Sequence, residues 1–179
     1  ILANVLIRKT GSAVQLTTGA GTGIGSGGSG QFAPLVPARL LETRSDPGLS
    51  TVDGQAFGAG VVPAGGVVEL QVAGRAGIPA DASAVVLNVA VTGTLGSGFI
   101  TVFPCGSDRP NAANLNYSAG QTVPNLVVAK IGAGGKVCLY TLAATHLIAD
   151  VNGYFPAGSS YAPLVPARLL ETRSDPGLS

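Results

Sequence analysis

The same eighteen residues, APLVPARLLETRSDPGLS, occur twice in this chain, at 33–50 and again at 162–179. The two copies begin 129 residues apart, at 33 and 162, and match at every position, so chance does not explain them. A period of this length fits a whole domain and is too long for the repeat of a solenoid. The sequence therefore predicts one repeat unit over 31–161, a separate segment at 1–30, and a second copy of the unit's opening at 162–179.

Two explanations of the second copy remain open. It is either the start of the next unit in a tandem array, or an extra strand that exchanges with the first copy between subunits. Residues 1–30 pose a similar choice. The apolar run Ile1–Arg8 and the alternating run Ala13–Thr17 predict a β hairpin, and a Gly/Ser linker follows. This segment is either a donor strand or the end of a preceding unit.

The composition of the chain predicts an all-β fold. Hydrophobic residues make up 46% and charged residues 11%, which indicates a packed core, and 27 Gly and 12 Pro punctuate the apolar runs. We expect an antiparallel β-sandwich, jelly-roll or immunoglobulin-like, with β extensions at both termini and no helix beyond single turns. The predicted strands are Val67–Val72, Ala84–Thr92, Gly98–Phe103, Ala113–Tyr117, Asn125–Ile131, Lys136–Thr141 and Thr145–Phe155.

Charge and hydropathy limit the classes of partner. The formal net charge is +1, without a basic stripe for nucleic acid. No apolar run approaches the roughly 20 residues of a membrane-spanning helix. We therefore expect neither nucleic acid nor a membrane span. Copies of the chain itself, as a homopolymer or as tandem neighbours, are the expected partners, with glycans as the alternative.

The chain offers little material for catalysis. His146 is the only histidine, and Asp150, four residues further along the same predicted strand, would lie about 13 Å away, too far for a hydrogen bond. One histidine and two cysteines do not supply an ordinary zinc site. We expect no catalytic, cofactor-binding or metal-binding residues, and a protein that is not an enzyme.

The two cysteines, Cys105 and Cys138, lie in or beside predicted strands. We predict a disulfide between them, closing a loop of about 33 residues and stabilising the fold by roughly 3–4 kcal/mol. Disulfides persist in oxidising compartments, so the pair favours an extracellular or cell-surface location.

A cluster of charged residues lies inside the repeated segment. Strand alternation would place Glu42, Arg44 and Asp46 on one face as a charge ladder, with Arg39 nearby. Such a cluster either recognises a neighbouring unit or is structural, with arginines that pair with buried backbone carbonyls, since the planar guanidinium satisfies several acceptors at once. The residues predicted to serve assembly or structure are Ile1, Leu2, Val5, Leu6, Arg39, Glu42, Arg44, Arg168, Glu171 and Arg173.

Asparagines interrupt several of the apolar strands. A buried amide is costly unless it is hydrogen-bonded, so these residues predict a shared polar network or, as the alternative, a sugar-binding surface. The absence of Trp and an aromatic content of 5% do not favour the sugar site. The residues are Asn88, Asn114, Asn116, Asn125 and Asn152.

Two motifs resemble a known family. The opening VPARLLETR, at 36–44, resembles the P-x-R-L-L-D-T-R motif of a repeat domain found in many secreted and cell-surface bacterial proteins, and THLIADVNGYF, at 145–155, resembles the close of that unit. The resemblance covers nearly all of 33–161, with Glu42 where an Asp is usual. It implies a non-catalytic extracellular β module, attached to hydrolases or arrayed in tandem, and implies no ligand.

Taken together, these features predict a structural subunit of an extracellular fibre, stalk or surface layer, assembled through tandem repeats or strand pairing. The alternative is an adhesin or carbohydrate-binding module.

Overall fold

A computed structural model describes residues 7–10, 13–16 and 31–172 of the protein. Its main body consists of two four-stranded antiparallel sheets that together form a sandwich. The strands are β1 (Ile7–Thr10), β2 (Ala13–Leu16), β3 (Ala33–Glu42), β4 (Val67–Gln71), β5 (Ala84–Thr92), β6 (Gly98–Pro104), β7 (Leu115–Tyr117), β8 (Val123–Lys130), β9 (Lys136–Thr141) and β10 (His146–Phe155).

The strand order identifies the type of sandwich. The first sheet has the order β3-β10-β5-β8 and the second the order β4-β9-β6-β7. Apart from β6 and β7, successive strands of the sandwich alternate between the two sheets. This is the connectivity of an eight-stranded jelly roll. The predicted antiparallel sandwich is confirmed, and of its two alternatives the jelly-roll order is the one found.

The core lies between the two sheets and is built from Val, Leu, Ile and Ala. The central strand β5 is buried along nearly its whole length: seven of its nine residues are buried, with Asn88 and Thr92 as the exceptions. In strand β9, Val137 and Leu139 are fully buried, and Cys138 between them is buried as well. The apolar runs of the sequence therefore mark strands whose side chains form the core between the two sheets.

The strand boundaries agree with the predictions to within about two residues. The largest differences, of two residues, are at the start of β7 and at the start of β8, which begins at Val123 rather than Asn125 and so includes Pro124. A proline removes one ladder hydrogen bond, which matters little on a strand with a free edge. Strand β8 is such an edge strand, pairing only with β5.

The N-terminal hairpin, the near absence of helix and the disulfide were also predicted, and each can be compared with the described residues. Strands β1 and β2 pair antiparallel as a hairpin, as residues 1–30 predicted. The described residues contain a single turn of 3-10 helix, Ala133–Gly135, and no described helix has the length or apolar character needed to cross a bilayer. The disulfide between Cys105 and Cys138 is confirmed, with the sulfurs 2.02 Å apart. It joins Cys105, the residue just after β6, to Cys138 within β9, so it links two neighbouring strands of the second sheet.

Candidate functional site: the repeated segment in the β3 slot

The first copy of the repeated segment forms the edge strand of the first sheet. Strand β3 pairs antiparallel with β10, from Ala33 opposite Tyr154 to Glu42 opposite Ile148. Its other edge is partly covered by the loop at 51–60. We call the groove between β10 and this loop, which β3 fills, the β3 slot.

A β-bulge determines which side chains of the segment enter the core. Leu41 pairs with Ala149 and Arg39 with Asp150, so Leu40 is the extra residue on β3. As a result two consecutive leucines are buried, with exposed fractions of 0% for Leu40 and 2% for Leu41. The bulge also turns the flanking Arg39 towards the same charged cluster as Glu42.

Glu42 is the centre of that cluster. Its side chain is 0% exposed and accepts hydrogen bonds from Arg39 Nη1 at 2.9 Å and from Arg44 Nε and Nη2, both at 2.8 Å. Burial raises the pKa of Glu42, but the hydrogen bonds from the Arg44 side chain and backbone, with the charges of both arginines, outweigh it and lower the pKa overall. A fully buried carboxylate is stable here because it is paired twice.

Arg39 links this cluster to the neighbouring strand. Its Nε donates to Asp150 Oδ1 at 2.8 Å and its Nη2 to Oδ2 at 3.4 Å, across the β3–β10 pair. The hydrogen bond to Asp150 raises the pKa of Arg39, against the opposing effect of burial. The repeated segment is thus tied to β10 by an ion pair as well as by the backbone ladder.

The predicted charge ladder is wrong in its details. Strand β3 ends at Glu42, so the alternation that would place Glu42, Arg44 and Asp46 on one face does not continue. Arg44 instead folds back onto Glu42 from beyond the strand end. Asp46 lies exposed in the following turn and makes no hydrogen bond to Arg44 within the described residues. The side chains of Arg39 and Arg44 pair within the unit with carboxylates, not with the backbone carbonyls that the structural alternative named.

Thr43, just after the strand, locks the end of the slot. Its hydroxyl accepts a hydrogen bond from the Leu147 amide at 3.0 Å and lies 3.0 Å from Nδ1 of His146. Because that hydroxyl accepts from the amide, its own proton is available for Nδ1. His146 therefore serves a structural hydrogen bond, and Asp150 is engaged by Arg39 rather than by this histidine.

The loop at 51–60 closes the outer edge of the slot through backbone hydrogen bonds. The Val52 amide donates to the Arg39 carbonyl at 2.9 Å, the Glu42 amide to the Ala56 carbonyl at 3.1 Å, and the Gly58 amide to the Glu42 carbonyl at 2.8 Å. These contacts cap the unpaired groups that make edge strands prone to association.

A buried arginine holds this loop in place. Arg75 donates to both carboxylate oxygens of Asp53, at 2.7 and 2.8 Å. This hydrogen bonding lowers the pKa of Asp53 to about 2 from the usual 3.8. No local pattern predicts this pair, because Asp53 and Arg75 are separated by 22 positions and lie in different turns.

The second copy of the segment lies in a different environment. Residues 162–172 have no regular secondary structure. Leu169 and Leu170, the counterparts of the two buried leucines, are 97% and 79% exposed. The ion pair between Arg168 and Glu171 is present at 2.9 Å and matches that between Arg39 and Glu42. Identical residues thus form a buried strand in one place and an exposed segment in the other.

One aromatic ring contacts the residue that precedes each copy. Phe155, at the end of β10, lies 5.8 Å from the ring of Phe32 and 4.3 Å from the ring of Tyr161, with which it stacks. Phe32 also packs directly against Gly153, which has no side chain to obstruct it. The two copies therefore both start next to the ring of Phe155, a contact that the sequence alone did not identify.

A polar cleft of about 490 Å³ opens on the outer face of the first sheet. It is crossed by a row of paired residues, in which Arg39 lies opposite Asp150, Asp150 opposite Asn88, and Asn88 opposite Leu126. The amides of Asn88 and Asn152, which also lines the cleft, make no hydrogen bond to the part of the chain described here.

The predicted asparagine network is not formed as one unit. Asn114 accepts from the Val102 amide at 2.8 Å, and its backbone carbonyl accepts from the Asn125 side chain. Asn116 and Asn125 are exposed rather than buried. Their strands, β7 and β8, are edge strands, where polar side chains can face water.

Some predicted assembly residues lie outside the described residues, namely Ile1, Leu2, Val5, Leu6 and Arg173. Within 31–172 no group of three or more His, Cys, Asp or Glu side chains is arranged to hold a metal ion.

Comparisons with protein-family models, with curated proteins and with solved structures found no match to this chain. The resemblance to the secreted bacterial repeat domain therefore stays a prediction.

Proposed function

We propose that this protein is a non-catalytic structural module of an extracellular fibre, stalk or surface layer, whose units are joined through the repeated segment. The observation that carries the proposal is the contrast between the two copies. Leu40 and Leu41 are buried in the β3 slot, whereas Leu169 and Leu170 expose nearly all of their apolar surface. Adjacent exposed leucines of this kind are typical of a surface that another chain covers.

The geometry of β3 supports strand pairing as the joint. An edge strand supplies its partner with backbone hydrogen bonds and alternating side chains, and both are encoded a second time at 162–171. Whether the joint is a tandem linkage or an exchange between subunits, the second copy would occupy the slot of another unit. Self-association of this kind needs no ligand and no catalytic group.

Two features support an extracellular location. The disulfide between Cys105 and Cys138 is of the kind that persists in oxidising compartments. The resemblance of residues 36–44 and 145–155 to a secreted repeat domain points the same way.

Sedimentation velocity of the full chain over a range of concentrations tests the proposal. We expect species larger than the monomer to grow with concentration, and the variant Leu169→Asp/Leu170→Asp to remain monomeric because a charge cannot enter the slot. Leu95→Asp is the matched control, since Leu95 is exposed but lies outside both copies. It should associate as the unmodified chain does. A chain that stays monomeric at every concentration would contradict the assembly function.

The cleft on the first sheet favours a second candidate function, glycan binding. Its amides, its carboxylate and its guanidinium are groups that hydrogen-bond sugar hydroxyls, and its volume lies in the usual range for small-ligand sites, about 300–1,000 Å³. A glycan array should then give hits that are lost in Asn88→Ala/Asn152→Ala and kept in Asn116→Ala, which lies outside the cleft. An array without hits would remove this candidate.

A further inference from the structure

We infer that the β3 slot has two alternative occupants within a single molecule: residues 33–42, which fill it in this structure, and residues 162–171 of the same chain. In the second arrangement β10 and the C-terminal copy form a hairpin, and the first copy is released. The inference goes beyond the proposed assembly function, because it concerns one chain in isolation.

The two candidate occupants of the slot are identical in sequence. All ten residues of β3 recur at 162–171, so each contact of the strand with the slot has an identical substitute. The identity also includes Thr172, the counterpart of Thr43, whose hydroxyl locks the end of the slot against Leu147. Exchange of identical elements replaces each interaction with its equal and therefore costs little.

Strand β3 lies at the edge of its sheet, where one strand can be replaced by another. In its sheet, β3 pairs only with β10, so its departure breaks no other strand pair. The covering loop binds β3 through backbone groups, from Val52 to the Arg39 carbonyl and between Ala56 or Gly58 and Glu42. The repeated sequence ends at Ser50, just before that loop begins. The loop can therefore stay in place and cover either copy.

The chain connects the second copy to β10 through a much shorter loop than the first copy. Strand β3 runs antiparallel to β10, with Ala33 opposite Tyr154. The residue that corresponds to Ala33 in the second copy is Ala162, which follows Tyr154 by only eight positions, against 121 for Ala33. A short loop loses less entropy on closing than a long one. The second copy is therefore the more local partner of β10, and a hairpin between them would place it antiparallel to β10, as β3 is.

A turn that could connect β10 to the second copy is already present at residues 156–159. The Ser159 amide donates to the Pro156 carbonyl at 3.2 Å, and Gly158 takes the left-handed φ of +70° that this turn uses. Tyr161 then stacks on Phe155, the same ring that anchors Phe32. The chain thus returns to the mouth of the slot just before the second copy begins.

Chemical denaturation of four full-length variants tests the inference: Leu41→Ala, Leu170→Ala, the double variant, and Leu139→Ala as a core control that no copy can replace. Removing a buried leucine side chain lowers the folded-to-unfolded ratio by at least about 30-fold. We expect that loss for Leu139→Ala and for the double variant, no measurable loss for Leu170→Ala, and a clearly smaller loss for Leu41→Ala alone. Leu170→Ala would then matter only when Leu41 is also replaced, which is a strong coupling between distant positions.

A loss for Leu41→Ala equal to that of the double variant would overturn the inference. If the alanine variants do not fold, the same comparison with Leu41→Val and Leu170→Val applies at a smaller amplitude. The measurements are made at several dilutions. A rescue that fades on dilution would show that another molecule supplies the second copy, which overturns this inference and leaves the assembly function in place. A rescue that does not depend on concentration, in a protein that stays monomeric in sedimentation, would support this inference and contradict the assembly function.

Discussion

The first and second copies of the repeated segment compare one sequence in two settings. At 33–42 it is a strand of ten residues with a buried bulge, a paired carboxylate and two enclosed leucines. At 162–171 the same letters form no strand, although the ion pair between Arg168 and Glu171 persists. The local ion pair is therefore encoded by the segment itself, whereas the strand is supplied by β10 and the covering loop. Strand propensity describes fit to a neighbouring surface more than a preference of the backbone.

Replacing the repeated carboxylate, Glu42 in the first copy and Glu171 in the second, tests directly whether the two settings differ in energy. The double variant Glu42→Gln/Glu171→Gln should lose about 3 kcal/mol of stability, near the lower end for breaking a buried pair, because both arginines remain partly exposed. Glu171→Gln alone should cost less than about 1 kcal/mol, as for a surface pair. Urea denaturation measures both values. Equal losses for the single and double variants would mean that the two copies do not differ in this respect.

The disulfide offers a region of the molecule that neither copy touches. Replacing Cys105 and Cys138 by serine should cost about 3–4 kcal/mol, because a closed loop of about 33 residues constrains the unfolded chain. The second sheet would be loosened while the β3 slot stays intact. Thermal denaturation gives the loss, and hydrogen exchange should show β3 amides no less protected relative to β5 than before. Selective loss of protection in β3 would contradict this separation.

Lowering the pH should weaken the attachment of the loop at 51–60, which covers the outer edge of the β3 slot, and so lower the stability of the fold. The pKa of Asp53 is lowered to about 2, so its pairing with Arg75 stabilises the fold above about pH 4 and is lost as the pH falls towards 2. The expected loss is about 1–2 kcal/mol. The lowered pKa of Glu42 acts in the same direction. Asp53→Asn should weaken this acid dependence, whereas Asp81→Asn, at an exposed position, should leave it unchanged. An unaltered pH profile in Asp53→Asn would exclude the pair as its cause.

The two copies also indicate how far sequence reasoning reached. Apolar alternation and Gly/Pro punctuation predicted the strands from Val67 to Phe155, since these signals are local. The pairing of β3 with β10 joins residues more than a hundred positions apart, and no local signal reports it. The bulge at Leu40 was missed for a related reason. It depends on the register with Ala149 and Asp150. The predicted charge ladder failed for a different reason, because β3 ends at Glu42, before Arg44 and Asp46.

The candidate site was only partly foreseen for the same physical reason. Arg39, Glu42 and Arg44 were singled out because they cluster within the repeated segment and strand alternation would place charged residues on one face. Their arrangement around one buried carboxylate, the Asp53–Arg75 pair and the shared aromatic ring of Phe155 all depend on chain segments that meet only in the folded jelly roll.

The contact between Phe32 and Phe155 has a mechanical consequence. Because the chain enters β3 and leaves β10 at the same pole of the sandwich, tension applied through the two connections pulls the strands apart from one end. The hydrogen bonds between them are then loaded one after another, as in a zipper, rather than all together in shear. A thread of such units would lengthen by peeling off one edge strand at a time, and the rest of each sandwich, with its disulfide in the opposite sheet, would carry none of that first extension.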